Sequence, residues 1–180
     1  MVHREPFWML VTTEYEDSHD ANLADAAARL AAAGTIADVV AILGDTAREI
    51  VGSDGIAVVL REGECCHYVA EDAVEPLWRG ARFPMSECVS GWAMLNCRAV
   101  VIPDIESDPR VPQIAYSRTS MRSLAMVPLG FPEAVAALGA YWCAYIDLND
   151  DIVARLERLA AAATAALNRV SHPQHEPLSR

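Results

Sequence analysis

Ser86-Glu87-Cys88-Val89-Ser90-Gly91-Trp92-Ala93-Met94-Leu95-Asn96-Cys97-Arg98-Ala99-Val100-Val101-Ile102-Pro103-Asp104 decides the fold, because it sets a short helix directly before a strand. Ser86 offers an N-cap, and Val89, Trp92 and Ala93 share one face of a helix expected to run to about Cys97. Ala99 to Ile102 then reads as a strand, closed by Pro103-Asp104. Gly91 stands inside the helix, where glycine costs about 1 kcal/mol relative to alanine. Close approach of another backbone or of a bound molecule would offset that cost, with Trp92 filling the remaining space; plain helix-on-sheet packing is the competing reading.

Upstream, Thr35 and Asp38 have capping-box spacing, and Ile36, Val39, Val40, Leu43, Ile50 and Val51 follow the helical period. Gly52-Ser53-Asp54-Gly55 turns the chain into the β-branched run Ile56 to Leu60, whose hairpin partner is expected over Cys65 to Ala70. A shorter helix is expected from Asp20 to Ala33, and residues 1–19, without a steady period, read as an N-terminal arm. Downstream, a proline-broken connection runs from Ile105 to Arg122, and connections of that length usually carry function. Leu124 to Leu129 and Ala134 to Tyr145 form a second hairpin, with Pro128 placing its first strand at an edge or bulge. Asn149 caps a helix to about Val170, patterned by Ile152, Leu156, Leu159, Ala163 and Leu167, and residues 171–180 read as a flexible tail. This order predicts one α+β domain over residues 20–170, with a five-stranded, mainly antiparallel sheet flanked by helices and long N- and C-terminal helices.

The ordered set Leu77-Trp78-Arg79-Gly80, Arg82-Phe83-Pro84-Met85, Ser90-Gly91-Trp92-Ala93-Met94-Leu95 and Val101-Ile102-Pro103-Asp104-Ile105 resembles GAF domains, notably those beside bacterial sensor histidine kinases. Asp108-Pro109-Arg110, Ala115-Tyr116, Arg122 to Pro128 and Leu138-Gly139-Ala140-Tyr141-Trp142 continue the resemblance, which covers about residues 35–170. It implies a pocket between the sheet and a layer made by the 86–97 helix and the 105–122 connection. Trp78, Phe83, Trp92, Ile105, Tyr116, Met121, Tyr141 and Cys143 are the candidate lining, with core packing the alternative for each. Arg110 and Arg122 would grip an anionic ligand group or, equally, tie loop carbonyls or Asp104.

The resemblance also implies a sensory role without catalysis: a small ligand shifts the packing of the terminal helices, which would pair in a homodimer through residues 20–33 and 149–170 and instruct a signalling output such as a histidine kinase. The ligand stays unidentified. Covalent bilin attachment is not expected, since no cysteine lies in residues 1–64 or 109–123. All fourteen basic residues are arginine, so the lysine of the cyclic-nucleotide signature, a Walker-type phosphate loop and a Schiff base are excluded. Haem is not expected either, because His67 is the only histidine between residues 20 and 171. His172 and His175 read as solvated tail residues and not as a metal pair.

Free methionine sulfoxide reductases are also GAF proteins, and they supply the alternative: a thiol redox enzyme using Cys88 or Cys143. Alignment on Gly91 and Pro103-Asp104 puts Ser90 and Tyr116 about where that family's key thiols lie. Cys88 and Cys97, nine residues apart on a helix, should point in opposite directions. A ligand-free dimerisation module is the third reading. The net charge of -11 disfavours nucleic acid and anionic membranes. Five cysteines, an odd number, argue for reduced thiols. With no apolar run near the roughly 18 to 20 residues that span a bilayer and no signal-peptide pattern at the N-terminus, a cytoplasmic location is expected.

Overall fold

A computed structural model describes residues 7–171, with side chains from Ser18 onward. The first helix, α1 (Phe7–Ala32), starts well before the expected Asp20, so much of the stretch read as an irregular arm is helical. The 172–180 part of the expected tail, with His172 and His175, lies outside the described residues. Helix α2 (Ile36–Val51) is capped as its sequence predicts: the Asp38 N–H donates to the Thr35 hydroxyl at 3.1 Å, and the Thr35 N–H donates to the Asp38 carboxylate at 2.9 Å. Gly52, at φ 63°, ends it in the left-handed region.

Strands β1 (Gly55–Glu62) and β2 (Cys65–Ala73) follow as a hairpin. A three-residue strand β3 (Arg82–Pro84) pairs with β2, giving six strands where five were expected. Its brevity and the proline that ends it hide it from any period-2 reading. A 3-10 turn, Met85–Glu87, leads into α3 (Val89–Asn96), whose N-cap is Cys88 and not the expected Ser86. Then come β4 (Val100–Ile102), the one-turn α4 (Gln113–Tyr116), β5 (Ser123–Leu129), β6 (Ala136–Trp142) and α5 (Asp150–Ser171). Asn149 caps α5 by accepting from the Ile152 N–H at 3.1 Å.

The sheet order is β3-β2-β1-β6-β5-β4, with every neighbouring pair antiparallel. Strand β4 pairs only with Leu124 to Met126, so Pro128 sits where β5 has no neighbour on that side, as its missing N–H requires. Both faces of the sheet are covered, and β1 from Ile56 to Leu60 and β6 therefore run apolar instead of alternating with polar residues. Ile56, Val58, Leu138, Ala140 and Trp142 pack against α1, α2 and α5. Ala57, Val59, Ala137 and Tyr141 face α3 and the irregular connection.

Strand β2 carries a bulge. Val58 pairs with Ala70 and Val59 with Tyr68, leaving Val69 unpaired. The extra residue resets the alternation, so that Cys66, Tyr68 and Glu71 all reach the α3 side although Glu71 is out of phase with the other two.

Candidate functional site

On the α3 side of the sheet an aromatic cluster forms around Trp78. Its ring lies 4.8 Å from Tyr116, 5.4 Å from Tyr141 and 5.7 Å from Tyr68, each in an edge-on arrangement, and Phe83 meets Tyr68 at 5.5 Å. Trp78 is held at both ends. The Glu71 carboxylate accepts from the backbone N–H groups of Leu77, Trp78 and Arg79 at 3.3, 2.9 and 2.9 Å, and the indole N–H donates to the Ala115 carbonyl at 3.3 Å. Above the cluster opens a cavity of about 490 Å³, bounded by β2, β3, the start of α3 and the segment from Pro109 to Tyr116. That volume suits a small organic ligand.

One edge of the cavity is polar. Ser90, fully buried, bonds Tyr68 at 2.9 Å and donates to the Cys88 sulfur at 3.3 Å, so the Tyr68 hydroxyl is the donor to Ser90. The Gly91 N–H also donates to that sulfur, at 3.4 Å, and the sulfur lies 3.5 Å from the Pro84 carbonyl, beside the β2–β3 ladder that holds Cys66. These donors stabilise the thiolate, Cys66 first, and pull the Cys88 thiol down to about 6 against the opposing effects of burial and Glu87. Cys66 moves the opposite way, kept protonated by its bond to Cys88 and by burial. Burial likewise raises Tyr68, Tyr116 and Tyr141, all neutral near pH 7. The Tyr141 hydroxyl lies by that of Tyr116, but no hydrogen bond of sound geometry forms.

A GAF domain family model matches residues 33–168. The chain belongs to the GAF domain family. No curated protein matches it by sequence. Among solved structures, the free methionine-R-sulfoxide reductase of Neisseria meningitidis, in complex with its substrate, superposes with a TM-score of 0.73 at 19% identity, over 88% of this chain and 93% of that one. The GAF domain of an Acinetobacter phosphoenolpyruvate-protein phosphotransferase gives 0.71 at 13%, over 86% and 95%. That of a two-component sensor histidine kinase from Bacillus halodurans gives 0.64 at 17%, over 77% and 97%. At these identities the likeness is one of fold.

Within this GAF fold the expected pocket residues divide. Trp78, Phe83, Arg110 and Tyr116 border the main cavity. Tyr141 lies beneath it, fully buried and packed on Trp78 and Tyr116. Trp92 stands outside, its ring 5.4 Å from the Arg110 guanidinium. Ile105, Met121 and Arg122 border a separate hollow of about 480 Å³ that Tyr116 shares, and the first two are core residues. Cys143 is set apart from the main cavity, its N–H donating to Asp54 at 2.7 Å and its thiol raised chiefly by burial.

Arg110 has its fork occupied, and Arg122 is tied through one terminal nitrogen. The Arg110 guanidinium is already paired with Asp108, bound through both Nε and Nη2, and holds that carboxyl below its usual range. Arg122 donates to the Met121 carbonyl at 3.2 Å and reaches Glu106 at 3.8 Å, which leaves it in the loop-tying role; Asp104 caps Glu106 instead. Cys88 and Cys97 sit at the two ends of α3, as N-cap and C-cap, and not on opposite faces within it. Sequence reasoning missed Tyr68 and Glu71, whose inward direction follows from the bulge, and the Cys66–Cys88 contact, which joins β2 to the start of α3. Among the described residues no group of three or more His, Cys, Asp or Glu could hold a metal ion, and no helix is long and apolar enough to cross a membrane.

Proposed function

We propose that the chain is a non-catalytic sensory module that takes a small organic molecule into the aromatic-walled cavity and reports its presence through α1 and α5. The observation carrying this reading is the cavity itself, walled by Trp78, Phe83 and Tyr116 on the sheet face opposite the terminal helices. With Arg110 neutralised by Asp108, the favoured ligand is flat and largely apolar, with one hydrogen-bonding edge toward Tyr116 or Cys88. Coupling across the sheet has contiguous contacts. The Arg122 N–H, at the end of the irregular connection, donates to the Trp142 carbonyl at 2.7 Å. The Trp142 indole donates to Gly52 at the end of α2 at 2.9 Å, and the Gly130 N–H donates to Thr164 of α5 at 3.0 Å.

The output is a cytoplasmic signalling enzyme such as a histidine kinase. Leu156, Leu159, Ala163 and Leu167 pack inside the chain, so a homodimer would pair the helices through outward alanines such as Ala21, Ala24, Ala28 and Ala161. Native mass spectrometry and an absorption spectrum of freshly purified protein, followed by thermal-shift screening, test the ligand. Retained binding in both Trp78→Ala and Tyr116→Ala would move the site elsewhere, and no binding at all would leave a ligand-free dimerisation module. A monomeric mass at micromolar concentration in solution scattering would contradict the homodimer.

A second reading, thiol-dependent reduction of a methionine sulfoxide, draws on the depressed thiol of Cys88 at the cavity edge. Absence of turnover with a dithiol reductant would retire it.

A further inference from the structure

The two thiols at the polar edge of the cavity differ in access and in charge. Cys66 sits opposite Phe83 in the β2–β3 ladder and is fully buried. The 3-10 turn brings the chain back so that Cys88, the N-cap of α3, meets Cys66 in the same core cluster while bordering the cavity. One sulfur therefore faces an incoming molecule and the other waits behind it.

We propose that Cys88 and Cys66 form a redox-sensitive pair: a small hydroperoxide enters through the cavity, Cys88 attacks it, and Cys66 resolves the product to an intramolecular disulfide. In the first step the Cys88 thiolate attacks the terminal peroxide oxygen, the O–O bond breaks, and the departing alkoxide takes a proton from solvent. Sulfur is oxidised to the sulfenic acid and the hydroperoxide is reduced to an alcohol. In the second step the Cys66 sulfur attacks Cys88, the S–O bond breaks, and hydroxide leaves as water with the Cys66 proton.

The surroundings fit each role. Ser90 O–H and Gly91 N–H aim at the Cys88 sulfur, which lies 3.5 Å from the Pro84 carbonyl, one residue along β3 from the Phe83 that pairs with Cys66, and as N-cap it lies at the positive end of the α3 dipole. The titratable groups facing it are Cys66, Tyr68, Tyr116 and Glu87, and the first three are held neutral near pH 7. Oxidation removes the acceptor that caps α3 and binds Ser90, so the consequence falls on the cavity wall at Tyr68. No ligand in the cavity is required, so this inference stands or falls separately from the sensory reading.

The test is mapping of the reduced chain after one equivalent of tert-butyl hydroperoxide, blocking of remaining thiols with N-ethylmaleimide, and peptide mass spectrometry without reductant. A Cys66–Cys88 linked peptide is expected in the wild type, and a dimedone adduct at Cys88 in Cys66→Ser. Alkylation of Cys88 by iodoacetamide should rise less than twofold between pH 6.5 and 8, against about twentyfold for an ordinary thiol of pKa about 8.5. Modification confined to the exposed Cys97, with Cys88 intact and the circular dichroism unchanged, would overturn the proposal. So would oxidised Cys88 in the wild type with no link to Cys66. The mapping is read on the wild-type chain, so a variant that failed to fold would not rescue it.

Discussion

Replacing Gly91 by alanine inverts the rule for helical glycines. An added Cβ would stand 2.0 Å from the Met85 carbonyl oxygen and 2.6 Å from its carbonyl carbon and Cα. Ordinary contact begins near 3.4 Å, so α3 or the 3-10 turn must give by about 1.4 Å, and backbone cannot swing aside as a side-chain tip can. Propensity favours alanine by about 1 kcal/mol, whereas overpacking against fixed atoms costs about 1–3 kcal/mol or more. With backbone as the obstacle the upper end applies, and Gly91→Ala should lose about 2 kcal/mol net, or about 4–8 °C in Tm for a chain of this size. Gly44→Ala is the control: it lies inside α2, and its Cβ would meet only the Ala70 Cβ at 3.5 Å, an ordinary contact. A gain of about 0.5–1 kcal/mol is expected there. Urea unfolding of wild type and both variants measures the contrast. Equal stabilisation by both substitutions would refute the claim that Met85 backbone is what holds position 91 to glycine.

Tyr68→Phe removes the hydroxyl that donates to Ser90 and should cost about 1 kcal/mol by urea unfolding, with an unchanged m-value; no loss would mean the buried bond is not formed in solution. Asn149→Ala should lose about 1 kcal/mol through the α5 cap, read as a lower chemical-denaturation midpoint. Because Cys88 has a folded pKa depressed to about 6, its contribution is fully present above the unfolded value of about 8.5 and is lost as pH falls through 6. Reduced wild-type protein should accordingly gain stability between pH 6 and 8 relative to Cys88→Ser. The raised Cys66 acts with the opposite sign, withdrawing stability above about pH 8.5, so a wild-type profile flat from pH 6 to 9.5 would contradict both shifts.

The fold was legible wherever local chemistry and burial agreed. Thr35 with Asp38, Gly52 and Asn149 mark helix ends by bonds made within a few residues, and the backbone uses those bonds. Gly91 announced a close approach correctly, though not that its partner would be Met85. The start of α1 was hidden because Phe7 to Asp17 show no steady apolar period, although Pro6 just before them is a helix-start signal. Strand β3 is too short to carry a pattern at all. At the site, residue type identified Trp78, Phe83 and Tyr116, but Arg110 looked available because its partner Asp108 comes from a turn only two residues away. Glu71 and the Cys66–Cys88 contact depend on strand register and on the return of the chain after β3, which no local window contains.

That dependence on register gives Val69 an importance out of proportion to its ordinary side chain. Drawn into the ladder opposite Val58, it would let β2 zip straight through, and every residue beyond it would exchange one side of the sheet for the other. Glu71 would be driven among the α2 side chains, the Leu77 to Arg79 segment would lose its anchor, and Trp78 would no longer be presented. Whether one residue is paired or bulged decides which half of the molecule a strand serves.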